Sequence, residues 1–168
     1  GLNAIHAMGR VIAAADDAAA RLRSGPLDPV FEPPYSTIQI GTIRGGEALN
    51  IIPDRCAVEI EARAIAGASP AALLEPVREA LERLRAQGFQ TDWRPIAAYP
   101  ALSLPAEAPI ARLLSRLTGA PPIPAVSYGT EAGLYQAAGI DAIICGPGDI
   151  ARAHKPDEYV TRAELAAC

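Results

Sequence analysis

The chain has 168 residues, half of them apolar, and a formal charge of −4, which is enough for one medium domain or two small ones and too apolar for a disordered chain. Its arginines are scattered among Asp and Glu rather than clustered, which argues against a nucleic-acid surface. No run of about 18 apolar residues and no charged-then-apolar leader occurs, so neither a membrane helix nor a signal peptide is expected and a soluble cytoplasmic protein is.

Residues 3–23 place Ile5, Met8, Ile12 and Leu22 at roughly helical spacing among alanines, and the pattern ends at Ser24-Gly25-Pro26. His6 lies in this helix and reads as a partly exposed surface residue. After a Pro-rich loop, Ile38, Ile40 and Ile43 alternate with polar residues, the mark of a half-buried strand that ends at the pair Gly45-Gly46. Residues 56–65 repeat the alternation, with Val58 and Ile60 on one face and Glu59, Glu61 and Arg63 on the other. The two strands should pair antiparallel.

A second helix is predicted from Ser69 as N-cap, with Pro70 at its first position, Leu73, Leu74, Val77, Leu81 and Leu84 on one stripe, and Gly88 as its stop. Residues 89–102 read as a further strand and exit linker. The order α-β-β-α-β, with one strand added in front, is that of a ferredoxin-like two-layer sandwich. From about Ser103 the pattern becomes α/β: helices in EAPIARLLSRLTG and TEAGLYQAAG alternate with short apolar strands in PAVSYG and DAIICGPG. Ligands of such units gather at the carboxyl ends of the strands, where SYGTEAG and CGPGDIARAHKPDEY lie. Three cysteines without a Cys-x-x-Cys pair fit buried thiols in a reducing compartment, with Cys56 and Cys145 read as core residues of strands.

His154 stands in a turn rich in Gly, Pro and acids, next to Asp157 and Glu158. The residues alone leave three readings open: a solvated surface histidine, a helix-capping side chain, or one ligand of a metal with an acidic outer shell. One histidine cannot hold zinc by itself.

Five motifs then stand together in order: GLNAI at the start, IGTIRGGEALNIIPDRC, the Arg63 that ends VEIEAR, VSYGTEAGLY, and CGPGDIARAHKPDEYV. Together they resemble the acetylornithine deacetylase branch of the dinuclear-zinc aminoacylase and carboxypeptidase family. The resemblance implies an α/β protein in which residues 1–102 are most of a ferredoxin-like lid and dimerisation domain, its first strand missing, and 103–168 are the last part of a catalytic domain. It implies that His154 binds one of two zinc ions, with cobalt as the alternative metal. Asn50 and Arg63 from the lid, and Gly129 and Thr130 from the catalytic turn, become substrate contacts; a guanidinium suits an α-carboxylate because it can bind both oxygens.

Each of these residues also has a plain structural reading: Asn50 shaping a turn, Arg63 facing solvent, Gly129 permitting a tight turn. Glu131 is either a first-turn helix acid or a partner for the ammonium of a cationic substrate, and the second reading is favoured. The resemblance implies hydrolysis of N-acetyl-L-ornithine in arginine biosynthesis by a cytoplasmic homodimer that engages neither nucleic acid nor membrane. The general base and the remaining ligands are expected before residue 1, so no catalytic residue is expected in this chain, which should be inactive alone. The alternatives are a desuccinylase or another N-acyl-amino-acid deacylase of the family, or a non-catalytic dimerisation module.

Overall fold

In a computed structural model that describes residues 1–65, 67–123 and 129–168, the Asn3 side chain accepts the His6 backbone N–H at 3.0 Å. That satisfies one of the donors left unpaired at a helix start, and helix α1 runs Ala4–Leu22 from there. His6 is exposed, as read from the sequence. The buried face of α1 is not the one its larger side chains mark: Ala7, Val11, Ala15 and Ala18 are buried, whereas Ile5 is exposed and Met8 and Leu22 pack only at the margin. Small residues prevail because α1 packs against both the sheet and a second helix, and short side chains let backbones approach closely.

Strands β1 (Thr37–Gly45) and β2 (Cys56–Arg63) form the antiparallel pair predicted. Ile38 lies opposite Ala62 and Ile40 opposite Ile60, but the next pairs are Thr42 with Glu59 and Ile43 with Val58, so Gly41 is an extra residue in β1. A bulge of this kind resets the alternation by one. It explains how Ile38, Ile40 and Ile43, spaced unevenly in the sequence, share one face. The Ser36 hydroxyl accepts the Ile65 N–H at 3.1 Å and ties the open end of the hairpin together.

The second predicted helix is divided into α2 (Pro70–Leu73) and α3 (Glu75–Ala86). Pro76 has no N–H to give to residue 72, and its ring crowds that carbonyl, so the ladder cannot run through. Ser69 precedes α2, but its side chain makes no capping bond. α3 buries Val77, Ala80 and Leu84, with Leu73, Leu74 and Leu81 at the rim of the same cluster. Its end is a Schellman turn: Phe89 N–H reaches the Leu84 carbonyl at 3.2 Å and Gly88 N–H the Arg85 carbonyl at 3.0 Å, with Gly88 at φ +92°.

The strand expected over 89–102 does not form; residues 89–100 lie in neither helix nor ladder. Phe89 and Trp93 pack on the core instead, and Arg78 stands 5.8 Å over the Trp93 ring. In a split β-α-β arrangement the strands flanking a helix are held one strand apart, so the strand after the second helix pairs with the one before the first. Among the described residues the ladder holds only β1 and β2.

The chain divides into two units, Gly1–Ala98 with Ile123–Gly129, and Tyr99–Pro122 with Thr130–Cys168. The second carries helices α4 (Pro109–Thr118), α5 (Ala132–Ala137) and α6 (Arg162–Ala167). The strand expected in PAVSYG lies almost wholly outside the described residues. The strand expected in DAIICGPG is absent among them, and Cys145 is exposed rather than a core residue; no other described strand is paired with this apolar run. Cys56, the first residue of β2, is half-buried. The mixed α/β class read from the sequence holds, and no described helix is long and apolar enough to cross a membrane.

The alanine face of α1 gives a direct check. Ala15→Leu forces extra volume into the contact and should cost about 1–3 kcal/mol, whereas Ala13→Leu, on the exposed side, should stay within about 0.5 kcal/mol of the parent. Urea unfolding of both variants measures the difference.

Candidate functional site

Asn50 and Arg63 belong to one hairpin but to its two ends. Asn50 is exposed in the connection between β1 and β2, where Ile51 N–H closes a turn onto the Ala48 carbonyl at 3.2 Å. The Pro53 carbonyl accepts Ala4 N–H at 2.9 Å and so fixes this connection to the start of α1. Arg63 ends β2 opposite Thr37. β2 is eight residues long, roughly 25 Å at about 3.3 Å per residue, so the ladder does not bring the two side chains together. Arg63 lies on the face of β2 away from the helices, where its Nε meets a Glu61 carboxylate oxygen at 3.1 Å. That ion pair is half-exposed and lays the guanidinium along the open face of the strand. Thr42 and Glu59 share this face through a hydroxyl-to-carboxylate bond of 2.8 Å.

In the second unit, the Thr130 hydroxyl accepts Ala132 N–H at 3.1 Å and caps the start of α5. Glu131 occupies the N-cap position in helical conformation, and its side chain makes no capping bond. The carboxylate is exposed at the start of α5, a place also compatible with its reading as an acid favoured by the helix dipole. Gly129, just before, is exposed. α5 is held to the preceding chain by two contacts that sequence reasoning missed. A Cβ on Gly133 would overlap the Pro100 carbonyl, so only glycine fits there, and the Gln136 side-chain amide bonds both the N–H and the C=O of Ser103.

His154 is built into a short self-bonded segment. Asp149 caps a 3-10 turn over Ile150–Arg152 by accepting Ala151 N–H at 2.8 Å. Glu158 N–H bonds the Lys155 carbonyl at 3.2 Å, with Pro156 at the second position of that turn and Asp157 at φ +59° in the third. This is the backbone of a type II turn, with Asp where glycine is usual. His154 itself has φ +57°, a left-handed conformation that non-glycine residues seldom adopt. Its N–H donates to the Glu158 carboxylate at 2.9 Å. The imidazole is exposed, and the acid beside it acts on the backbone rather than on the ring.

A second clamp closes the far side. The Arg152 guanidinium forks onto both Glu164 oxygens and stacks 4.7 Å from the Tyr159 ring centroid. One of those oxygens also accepts Thr161 N–H at 2.7 Å and Thr161 Oγ at 2.8 Å, while Thr161 Oγ caps Glu164 N–H at 3.1 Å. This reciprocal cap is spelled by Thr161-Arg162-Ala163-Glu164, a Ser/Thr-x-x-Glu signature legible in the sequence. The Arg152 partner carried no sequence signal. Hydrogen bonds from Arg152 first, then from Thr161, hold the Glu164 carboxyl well below its usual 4.5, at about 2.

Among the described residues no three His, Cys, Asp or Glu side chains converge on a metal position. His154 fits as one zinc donor, an exposed imidazole; the described residues do not complete the three or four donors that zinc takes.

Because the folded Glu164 carboxyl is more acidic than the unfolded one, its contribution to stability is complete above about pH 4.5 and is lost as pH falls toward about 2. Melting temperature measured from pH 2 to 5 should therefore fall more steeply for the parent than for Glu164→Gln, and the variant should already melt lower at pH 7. Parallel curves for the two proteins would show that the clamp contributes nothing.

The first 88 residues match the family model described as the peptidase dimerisation domain of the M20 peptidases. Over the whole chain, the sequence is 35% identical to an acetylornithine deacetylase of Myxococcus xanthus, covering 44% of that protein. It is 32% identical over 96% of the chain to the acetylornithine deacetylase of Edwardsiella ictaluri, and 30% identical over 95% to that of Aliivibrio fischeri, covering 42% of each. The chain thus spans less than half the length of the curated relatives it matches. With its α1-β1-β2-α3 unit covered by the family model, the chain belongs to the M20 peptidase family, and its whole length is similar to acetylornithine deacetylases of that family.

Proposed function

We propose that the full-length protein hydrolyses the amide of N-acetyl-L-ornithine, releasing acetate and ornithine in arginine biosynthesis, and that this chain alone is inactive. The observation that carries the reading is the chain-long similarity to proteins named acetylornithine deacetylase, 35% over all of its residues in one case. In this reading residues 1–102 are a lid and dimerisation domain, and residues 103–168 the last part of the catalytic domain. The match to a dimerisation-domain model supports a homodimer, which this reading places in the cytoplasm.

Two zinc ions, or cobalt in their place, would supply an activated water and polarise the acyl carbonyl. His154 would hold one of them through its imidazole, and the other ligands and the general base would come from outside this sequence. The chain's own residues bind and orient the substrate. Arg63 would take the α-carboxylate with a planar fork that fits two oxygens. Asn50, Gly129 and Thr130 offer hydrogen-bonding groups at the lid loop and at the start of α5. Glu131 would face the distal ammonium, in keeping with a carboxylate that caps no helix here.

The decisive experiment follows ornithine release from N-acetyl-L-ornithine by the full-length protein, with and without chelator, beside His154→Ala. Release should stop with chelator and fall more than about 100-fold in the variant, beyond the 10–100-fold cost of an outer-shell partner. Glu131→Gln should raise KM for the cationic substrate about tenfold, the scale of one charge-assisted contact of about 1.5 kcal/mol, and leave neutral N-acetyl amino acids unaffected. Turnover of a succinylated diamino acid in place of the acetyl substrate would move the assignment to a desuccinylase. No hydrolysis of either by the metal-loaded protein would leave the dimerisation module.

A further inference from the structure

The loop after Asp149 poses a physical question. His154 sits at φ +57°, where a side chain with a Cβ is strained, yet residues of ordinary conformation would suffice for a solvated turn. Something must hold the backbone there. Among the described residues the His154 main-chain N–H donates to an acceptor four residues on, the Glu158 carboxylate, at 2.9 Å. Glu158 can reach back because Lys155, Pro156 and Asp157 turn the chain, with Glu158 N–H bonded to the Lys155 carbonyl at 3.2 Å and Asp157 at φ +59°. The same residue thus closes the turn with its backbone and fixes the histidine with its side chain.

We propose that Glu158 is a positioning residue for His154: its carboxylate holds the left-handed backbone from which the imidazole is presented to a divalent cation. The inference rests on the reading of His154 as a metal ligand and goes beyond it in assigning a second residue and its mode of action. Metal-bound histidines are usually oriented through the ring nitrogen that does not bind the metal. Here the acid works through the main chain, which sets the Cα–Cβ direction and leaves the ring nitrogens to other partners. A carboxylate is suited to the task because a charged acceptor bonds an N–H more strongly than a neutral one. Gln keeps an acceptor oxygen at nearly the same reach and should keep most of the effect; Ala removes it.

The test uses the full-length protein and four variants: Glu158→Ala, Glu158→Gln, His154→Ala, and His154→Ala with Glu158→Ala. Cobalt(II) and zinc affinities are measured by chelator competition, the visible spectrum of bound cobalt is recorded, and the melting temperature of each metal-free protein is taken. Glu158→Ala should weaken one metal equivalent by about 10–100-fold and alter the cobalt spectrum, Glu158→Gln should restore affinity to within about threefold of the parent, and the double variant should bind no more weakly than His154→Ala. Wild-type affinity and spectrum in Glu158→Ala, with His154→Ala defective, would overturn the inference and leave the ligand reading standing. Wild-type affinity in His154→Ala would overturn the ligand reading itself. A lower melting temperature in Glu158→Ala with both metals bound normally would make Glu158 a structural residue only, which also overturns the inference.

Discussion

Helix α1 meets the sheet and α3 through Ala7, Val11, Ala15 and Ala18, and the rest of the first unit is arranged around how closely those short side chains let three elements approach. Ile38 from β1 and Val77, Ala80 and Leu84 from α3 fill the space that the alanines leave. Dense packing of this kind tolerates little change in volume, so the larger residues of α1 are displaced to the rim. There Met8 and Leu22 still cover apolar surface. The contact also fixes the hairpin, because Pro53 in its connecting loop is bonded to the first turn of α1. A loop carrying Asn50 is thereby anchored by a helix start rather than by strands.

The sequence patterns that proved readable were those with local chemical causes: the Ser24-Gly25-Pro26 stop of the first helix, Gly88 as a helix stop, the paired alternation of β1 and β2, and a Gly/Pro/acid turn around His154. Each depends on residues within a few positions of one another. What was not readable depended on partners. The apolar face of α1 was assigned to its largest residues, and only the presence of two neighbours makes the smallest ones the buried ones. Period-2 or apolar runs at 89–102 and 141–148 show a capacity to pair, but a ladder needs a second strand, and none pairs with them among the described residues. Two features were in the letters and carried a local cause nonetheless: Pro76, which divides the second helix, and Gly41, whose bulge reconciles the uneven spacing of three isoleucines.

The same distinction runs through the site. Residue identities could be read along the chain, and their arrangement could not. Asn50 and Arg63 lie 13 positions apart in the sequence, yet an antiparallel hairpin places the first at its turn and the second at its open end. Arg63 shares the outer strand face with Glu61, so its guanidinium already has a carboxylate neighbour at 3.1 Å. A substrate carboxylate arriving there would compete with a half-exposed ion pair, a contact of small net energy in water, and so could displace it at little cost.

The second unit reaches order by a different route. Among its described residues only Ala111 and Gly133 are buried, so apolar packing cannot be what shapes the segment from Asp149 to Glu164. Directional bonds do that instead: an aspartate cap, a carboxylate on a main-chain N–H, a forked Arg152–Glu164 pair and a reciprocal helix cap. Such bonds are short-range and specify angles, whereas apolar burial specifies proximity with little directional preference. A segment defined this way can keep a histidine in a strained conformation without a large core beneath it. The strain at φ +57° is then local to the loop, opposed by bonds within ten residues of it, and independent of how the alanine-packed unit is stabilised.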